Sequence, residues 1–201
     1  MAEVGATSLT GVGLFMPILM LINAFAMLAG AGGAPLAAIR MGRKEHDFAE
    51  KILGNCFTVL MIFAVALTVI FYVTAPTLLQ LFGASQVTLP YALSYSRIYI
   101  LGSVFVLVVM GMNPFITTQG FAKISMMTTL IGAVINIILD PIFIFALGLG
   151  VRGAALATVL SQMVGAVWIL HFLTGKKTIL KLKPSCLRLE GPVILPCLGL
   201  G

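Results

Sequence analysis

The sequence predicts an all-α integral membrane protein, a helical bundle of about five transmembrane helices. Sixty per cent of its 201 residues are hydrophobic and only 9% are charged, whereas soluble domains carry about 25% charged residues. The apolar runs are continuous and long enough for helices to cross a bilayer, which takes about 20 residues. They do not alternate over segments of about ten residues, as the strands of membrane barrels do. The spans are therefore predicted to be helical.

Five spans are predicted in the first 174 residues, and the positions of glycine and proline residues support them. They lie at about 9–36, 53–74, 91–119, 125–147 and 153–174. The first span ends in the glycine-rich stretch MLAGAGGAP, which favours close helix packing or a helix break. Pro114, late in the third span, is predicted to kink its helix because it frees one carbonyl.

The fourth and fifth spans are joined by the tight turn GLGVRG, so they are predicted to run antiparallel. Small residues recur every fourth position of the fifth span, at Gly153, Ala157, Ser161 and Gly165. This smooth ridge is predicted to let a neighbouring helix approach closely.

Basic residues are concentrated in three connecting segments, which indicates that these segments lie on the same side of the membrane. Ten of the twelve lysines and arginines lie in residues 37–52, 120–124 and 175–190, which the positive-inside rule places in the cytoplasm. The net charge of +6 is therefore attributed to the orientation of the chain in the membrane, and no nucleic-acid partner is expected. The segment 175–190 is predicted to be a basic linker, either lying at the lipid interface or solvated.

The two ends of the chain suggest a part of a longer protein. The predicted topology puts the N-terminus outside, although it carries no basic, signal-like segment, and a preceding helix would return it to the cytoplasm. Residues 191–201 are apolar but too short to span a bilayer. They are predicted to be the truncated start of a further helix.

Asn136 and Asp140 stand out within the apolar fourth span. An acid at the centre of a membrane helix costs about 2.5–3.5 kcal/mol, so a function has to offset its presence. The two residues are four positions apart and lie on one helix face. Pro141 has no backbone N–H, so the carbonyl of Ile137 loses its helical partner. These oxygen acceptors predict a binding site for a proton, a hydrated cation or a basic ligand.

Two further side chains are candidates for this site. Thr158, on the antiparallel fifth span, reaches a similar depth and could complete the site or bond its own i−4 carbonyl. Tyr95 could reach the polar cluster or serve in the interfacial aromatic belt. The cysteines have no metal-binding spacing, so no metal is expected beyond a possible sodium ion at Asp140, and no cofactor is expected beyond the ion itself.

Several of these segments together resemble the N-terminal lobe of multidrug and toxic compound extrusion (MATE) transporters. They are NAFAMLAGAGGAPLAAIRMGR, MNPFITTQG, NIILDP and GLGVRGAALATVLSQ. The resemblance implies that the five spans correspond to helices two to six of a six-helix lobe, that 175–190 links two lobes and that 191–201 begins helix seven. It also implies that helix one and the C-terminal lobe are missing partners.

The resemblance further implies a cation-coupled antiporter that exports drugs and toxic organic cations across the bacterial plasma membrane. In that family, the cation site combines an Asn and an Asp on helix five with a Thr on helix six and often a Tyr on helix four. Asn136, Asp140, Thr158 and Tyr95 fill these positions. A flippase for lipid-linked saccharides and a non-transporting structural fragment remain alternatives. An enzyme is not expected, because no nucleophile–base pair lies at the depth of Asp140.

Overall fold

The computed structural model describes the backbone of residues 2–200 and the side chains of residues 5, 7 and 9–200. Within this part of the chain all regular structure is helical, and five helices are long and apolar enough to cross a membrane. The structure thus confirms the predicted all-α membrane fold. The helices are α1 (Ala2–Gly13), α2 (Met16–Gly42), α3 (His46–Leu81), α4 (Leu89–Thr118), α5 (Ala122–Pro141), α6 (Val151–Thr174) and α7 (Gly191–Leu200).

The membrane helices extend beyond the predicted apolar spans. Helix α3 runs from His46 to Leu81, well past both ends of the predicted span 53–74. Hydropathy identifies only the part of a helix that lies in the hydrocarbon core of the bilayer. The backbone hydrogen bonds of the helix continue beyond it, into the polar headgroup region. Helix α1 and helix α2 together supply the first apolar crossing, Leu9–Gly42.

Helix α4 lies at the centre of the lobe and packs against α1, α2, α3, α5 and α6. Its contact with α2 depends on glycine. A Cβ atom added to Gly30 would lie only 2.9 Å from the carbonyl oxygen of Gly111, so the two backbones nearly touch. Pro114 lies inside α4, which continues to Thr118. Helix α5, by contrast, lies at the edge of the lobe, and only Ser125 and Thr128 on it are buried.

The segment between α6 and α7 is docked on the lobe by buried polar side chains. The Oε1 atom of Gln119 accepts hydrogen bonds from Thr178 Oγ1 at 2.8 Å, Ile179 N at 2.9 Å and Leu180 N at 2.8 Å. Thr178 and Leu180 are buried. This part of the linker is therefore buried against the other helices. Neither sequence interpretation, a linker at the lipid interface or a solvated linker, predicts this burial.

Helix α3 holds the rest of the linker. The carboxylate of Glu50 accepts a hydrogen bond from Lys181 N at 3.1 Å and pairs with the Lys183 ammonium. The hydrogen bond that the Lys183 ammonium donates to Glu50 raises the pKa of Lys183. Asn55, which is fully buried, accepts a hydrogen bond from Glu190 N at 2.7 Å. The end of the lobe that carries residues 37–52, 120–124 and 175–190 is called the basic end below.

Candidate functional site

A polar cluster lies where α4, α5 and α6 meet. Asn136 Nδ2 on α5 donates a hydrogen bond to Thr158 Oγ1 on α6 at 3.4 Å. The Thr158 hydroxyl in turn donates to the carbonyl of Ala154 at 3.0 Å. Thr158 therefore contacts α5 and also bonds its own helix, while its part in an ion site stays a prediction. Its proton is directed to Ala154, so its lone pairs face the cluster.

Tyr95 of α4 also belongs to this cluster. The residue is buried, and its ring packs against Phe15 and Tyr99 with centroid distances of 5.6 and 6.0 Å. Its phenol interacts with Thr158 and lies within electrostatic range of Asp140. This position differs from that of an interfacial belt residue, whose ring faces the lipid headgroups. Asn136, Thr158 and Tyr95 thus meet between the three membrane helices, and Asp140 follows Asn136 by four positions on α5.

Asp140 has one buried oxygen without a partner. Its Oδ1 atom is shielded from solvent and accepts no hydrogen bond from any described residue. Buried polar atoms are hydrogen-bonded in the large majority of cases, so an unpaired one calls for an explanation. An ionised carboxylate can only accept, so Oδ1 is available to a proton, a cation or a further hydrogen-bond donor.

The backbone changes conformation directly after Asp140. Helix α5 ends at Pro141, and Ile142–Ala146 form a π-helical segment in which Leu147 N donates to Ile142 O at 2.9 Å. Pro141 cannot supply the N–H that the carbonyl of Ile137 needs. Short π segments occur frequently at functional sites. Sequence reasoning predicted the freed carbonyl but missed the π segment, for which Pro141 is the available signal.

Helix α6 packs its small-residue ridge against this altered backbone. A Cβ atom on Gly153 would lie 2.7 Å from the carbonyl carbon and oxygen of Phe143, inside the π segment. Further along the ridge Ala157, Ser161 and Gly165 are buried. Gly153 therefore allows the start of α6 to contact the π segment, and this contact fixes the distance between Thr158 and α5.

We expect Gly153→Ala to destabilise the protein by about 1–3 kcal/mol, because the methyl group meets backbone atoms that cannot rotate away. Gly132→Ala is the matched control. The nearest atom to a Cβ there is Ser161 O at 4.0 Å, and alanine is a better helix former than glycine by about 1 kcal/mol. The free energy of unfolding in detergent checks both variants. Equal stabilities would contradict a tight contact at Gly153.

A cavity of about 680 Å³ extends from Asn136 and Thr158 between α2, α4, α5 and α6. This volume is in the range of small-molecule sites, about 300–1,000 Å³. All its lining residues are uncharged, and its polar surface comes largely from hydroxyl and amide side chains. One of them, Asn113, donates from Nδ2 to Ser125 O at 3.4 Å, while its Oδ1 is buried without a partner. Nothing local to Asn113 in the sequence indicated a cavity.

Comparison with known proteins agrees with this architecture. The MatE family model matches residues 1–142. The multidrug export protein MepA of Staphylococcus haemolyticus is 30% identical over 172 residues, which are 85% of this chain and 38% of that protein. A protein named FAD transporter from Shewanella oneidensis is 26% identical over 167 residues, 81% of this chain and 37% of its own.

Solved structures give the same result. An inward-facing multidrug resistance MATE family transporter of the MOP superfamily superimposes with a TM-score of 0.93 and 29% identity, covering 98% of this chain and 45% of that one. The chain thus spans less than half the length of the relatives and solved transporters described here. With a family match over most of its residues and the same helical architecture, the chain belongs to the MatE family of multidrug and toxic compound extrusion transporters.

Proposed function

We propose that the chain forms the ion-binding lobe of a cation-coupled multidrug antiporter. In this proposal a proton or a sodium ion binds at Asp140, with Asn136, Thr158 and Tyr95 around it, and its movement drives export of small organic cations. The observation that carries the proposal is the buried, unpaired Oδ1 of Asp140. Relatives named multidrug export proteins support the transport class.

The chemistry of the site favours a monovalent cation. A single carboxylate offers one negative charge, which one proton or one sodium ion neutralises, and the carbonyl and hydroxyl oxygens nearby are hard ligands of the kind that sodium accepts. Neutralising a charge inside a membrane removes a cost of about 2.5–3.5 kcal/mol. Ion binding shifts the conformational equilibrium of the π segment beside Asp140, because the hydrogen-bond pattern of that segment is not that of a regular helix.

The cavity supports cationic or neutral substrates over anionic ones. Its lining includes no lysine or arginine, whereas a lipid-linked saccharide or a dinucleotide brings phosphate groups that require positive partners. Arg97 and Arg152 line a separate cavity. Export across the bacterial plasma membrane, with the basic end in the cytoplasm, completes the proposal and follows the positive-inside rule.

Ion binding can be tested on the 201-residue chain itself. Thermal unfolding in detergent is compared in sodium chloride and choline chloride, and proton release is titrated without sodium. Sodium at a hundred times its Kd should stabilise the chain by about 2.7 kcal/mol. Proton coupling should instead appear as one titrating proton and no sodium effect. Either signal should vanish in Asp140→Asn and persist in Asp47→Asn, since Asp47 is exposed in the first turn of α3.

The alternative of a structural fragment makes a different prediction. If Asn136 and Asp140 only hold helices together, neither sodium nor pH near neutrality changes stability through Asp140. The absence of both signals in the folded wild-type chain would therefore contradict the proposal.

A further inference from the structure

A second cavity lies at the basic end of α6 and combines an apolar wall with a cationic rim. Its volume is about 540 Å³. Ile124, Trp168 and Phe172 form the apolar wall, and Phe172 is braced by an edge-to-face contact with Phe121 at 5.2 Å. The rim is formed by His171, Gly175, Lys176 and Lys177.

The cations of this rim have no acidic partner in the described part of the chain. The ion pairs found there use Arg40, Lys51 and Lys183. Lys176 and Lys177 are exposed and belong to none of them. Lys123, next to Ile124 at the start of α5, is likewise exposed and unpaired among described residues. Two lysines therefore line one apolar cavity without an acidic partner among the described residues, and Lys123 is the sequence neighbour of a third lining residue.

We propose that this cavity binds one anionic phospholipid from the cytoplasmic leaflet, independently of the coupling ion. The phosphate lies between the ammonium groups of Lys176 and Lys177, and the first part of an acyl chain packs on Trp168 and Ile124. Basic pockets on the cytoplasmic side of membrane helices suit anionic headgroups, and tryptophan favours the headgroup level of the bilayer. A free anion gains nothing from the apolar wall, so charge and hydrophobicity together identify a lipid.

The position of Trp168 provides the readout. It is the single tryptophan of the chain and is 36% exposed, so fluorescence excited selectively at tryptophan reports on this cavity. The 201-residue chain is reconstituted in phosphatidylcholine vesicles that contain a small fraction of brominated phosphatidylglycerol or brominated phosphatidylcholine. We expect saturable quenching by phosphatidylglycerol at fractions where phosphatidylcholine quenches only in proportion to its concentration.

Removing the two lysines should abolish this preference. Each lysine near an anionic lipid contributes about fivefold in affinity, so Lys176→Gln with Lys177→Gln should weaken phosphatidylglycerol binding about 25-fold. The matched control, Arg43→Gln with Lys44→Gln, removes the same charge from the exposed α2–α3 connection and should leave quenching unchanged.

Three outcomes would overturn the proposal. Equal quenching by both brominated lipids in the wild type, or equal losses in the two double variants, would show a general surface effect. Millimolar inorganic phosphate is expected to leave the quenching by phosphatidylglycerol unchanged. Displacement of the lipid by phosphate would instead identify a site for free anions.

Discussion

Asp140→Asn is expected to reduce dye efflux by a full-length transporter carrying this lobe to the background of cells without the transporter, a loss of more than tenfold. Asparagine has nearly the same shape and leaves α5 intact, but it neither ionises nor exchanges a proton. The Oδ1 of Asp140 is buried and has no hydrogen-bond partner among the described residues, and the replacement removes the charge that a coupling cation would neutralise. Without that charge, ion movement no longer changes the energy of either conformation.

Efflux of a fluorescent cationic dye from loaded cells measures this effect, with transporter abundance in the membrane determined in parallel. Asp47→Asn serves as the control, because that acid is exposed at the basic end of α3 and its replacement should leave efflux within twofold. Asp140→Glu keeps an ionisable group and is expected to retain part of the activity. Efflux by Asp140→Asn within twofold of the wild type, at equal abundance, would contradict a coupling role for this carboxylate.

Hydropathy alone was sufficient to predict the architecture of the lobe. Each of the five apolar runs is helical, the first through α1 and α2 and the fourth through α5 and the π segment, because a bilayer leaves a polar backbone few alternatives. The helix ends were less predictable. Helix α3 begins at His46, among charged residues that carry no hydropathy signal, since a helix continues wherever its backbone groups stay paired.

The candidate site was predictable where it depends on local spacing and unpredictable where it depends on packing. The four-residue interval between Asn136 and Asp140 fixes a shared helix face, and the position of Pro141 fixes a missing donor. The π segment that follows Pro141 packs against Gly153 of α6 in a contact between backbone atoms of two helices. Pro141 signals the break in α5, but no pattern within one helix reveals this contact.

The linker shows the same distinction. Its alternating lysines and apolar residues describe an amphipathic surface, but they do not reveal which surface receives it. That surface is built from Gln119 at the end of α4 and from Glu50 and Asn55 on α3. These are polar residues of distant segments, and a single sequence gives no signal that they bind the backbone of residues 179–190.

Gln119→Met is expected to destabilise the docked linker by about 3 kcal/mol. Methionine keeps the length of the side chain but cannot replace Oε1 as a strong acceptor. The substitution leaves the N–H groups of Ile179 and Leu180 and the Thr178 hydroxyl without the acceptor that they share. Each buried donor left unpaired costs about 1–3 kcal/mol. Thr178 retains a second acceptor, the carbonyl of Leu180 at 2.9 Å, and Ile179 is exposed, so the buried amide of Leu180 accounts for most of the loss.

Hydrogen exchange at the amides of Ile179 and Leu180 separates local undocking from a general loss of stability. A local opening that is about 3 kcal/mol easier accelerates exchange at these two amides by about two orders of magnitude, while amides in the middle of α4 keep their protection. Gln80→Ala is the control, since Gln80 is exposed near the end of α3 and should change neither quantity. Unchanged exchange at both linker amides would mean that contacts of Glu50 and Asn55 dock the linker without Gln119. Because Gln119 directly follows α4, the central helix of the lobe, its three hydrogen bonds connect any movement of that helix to the segment leading into α7.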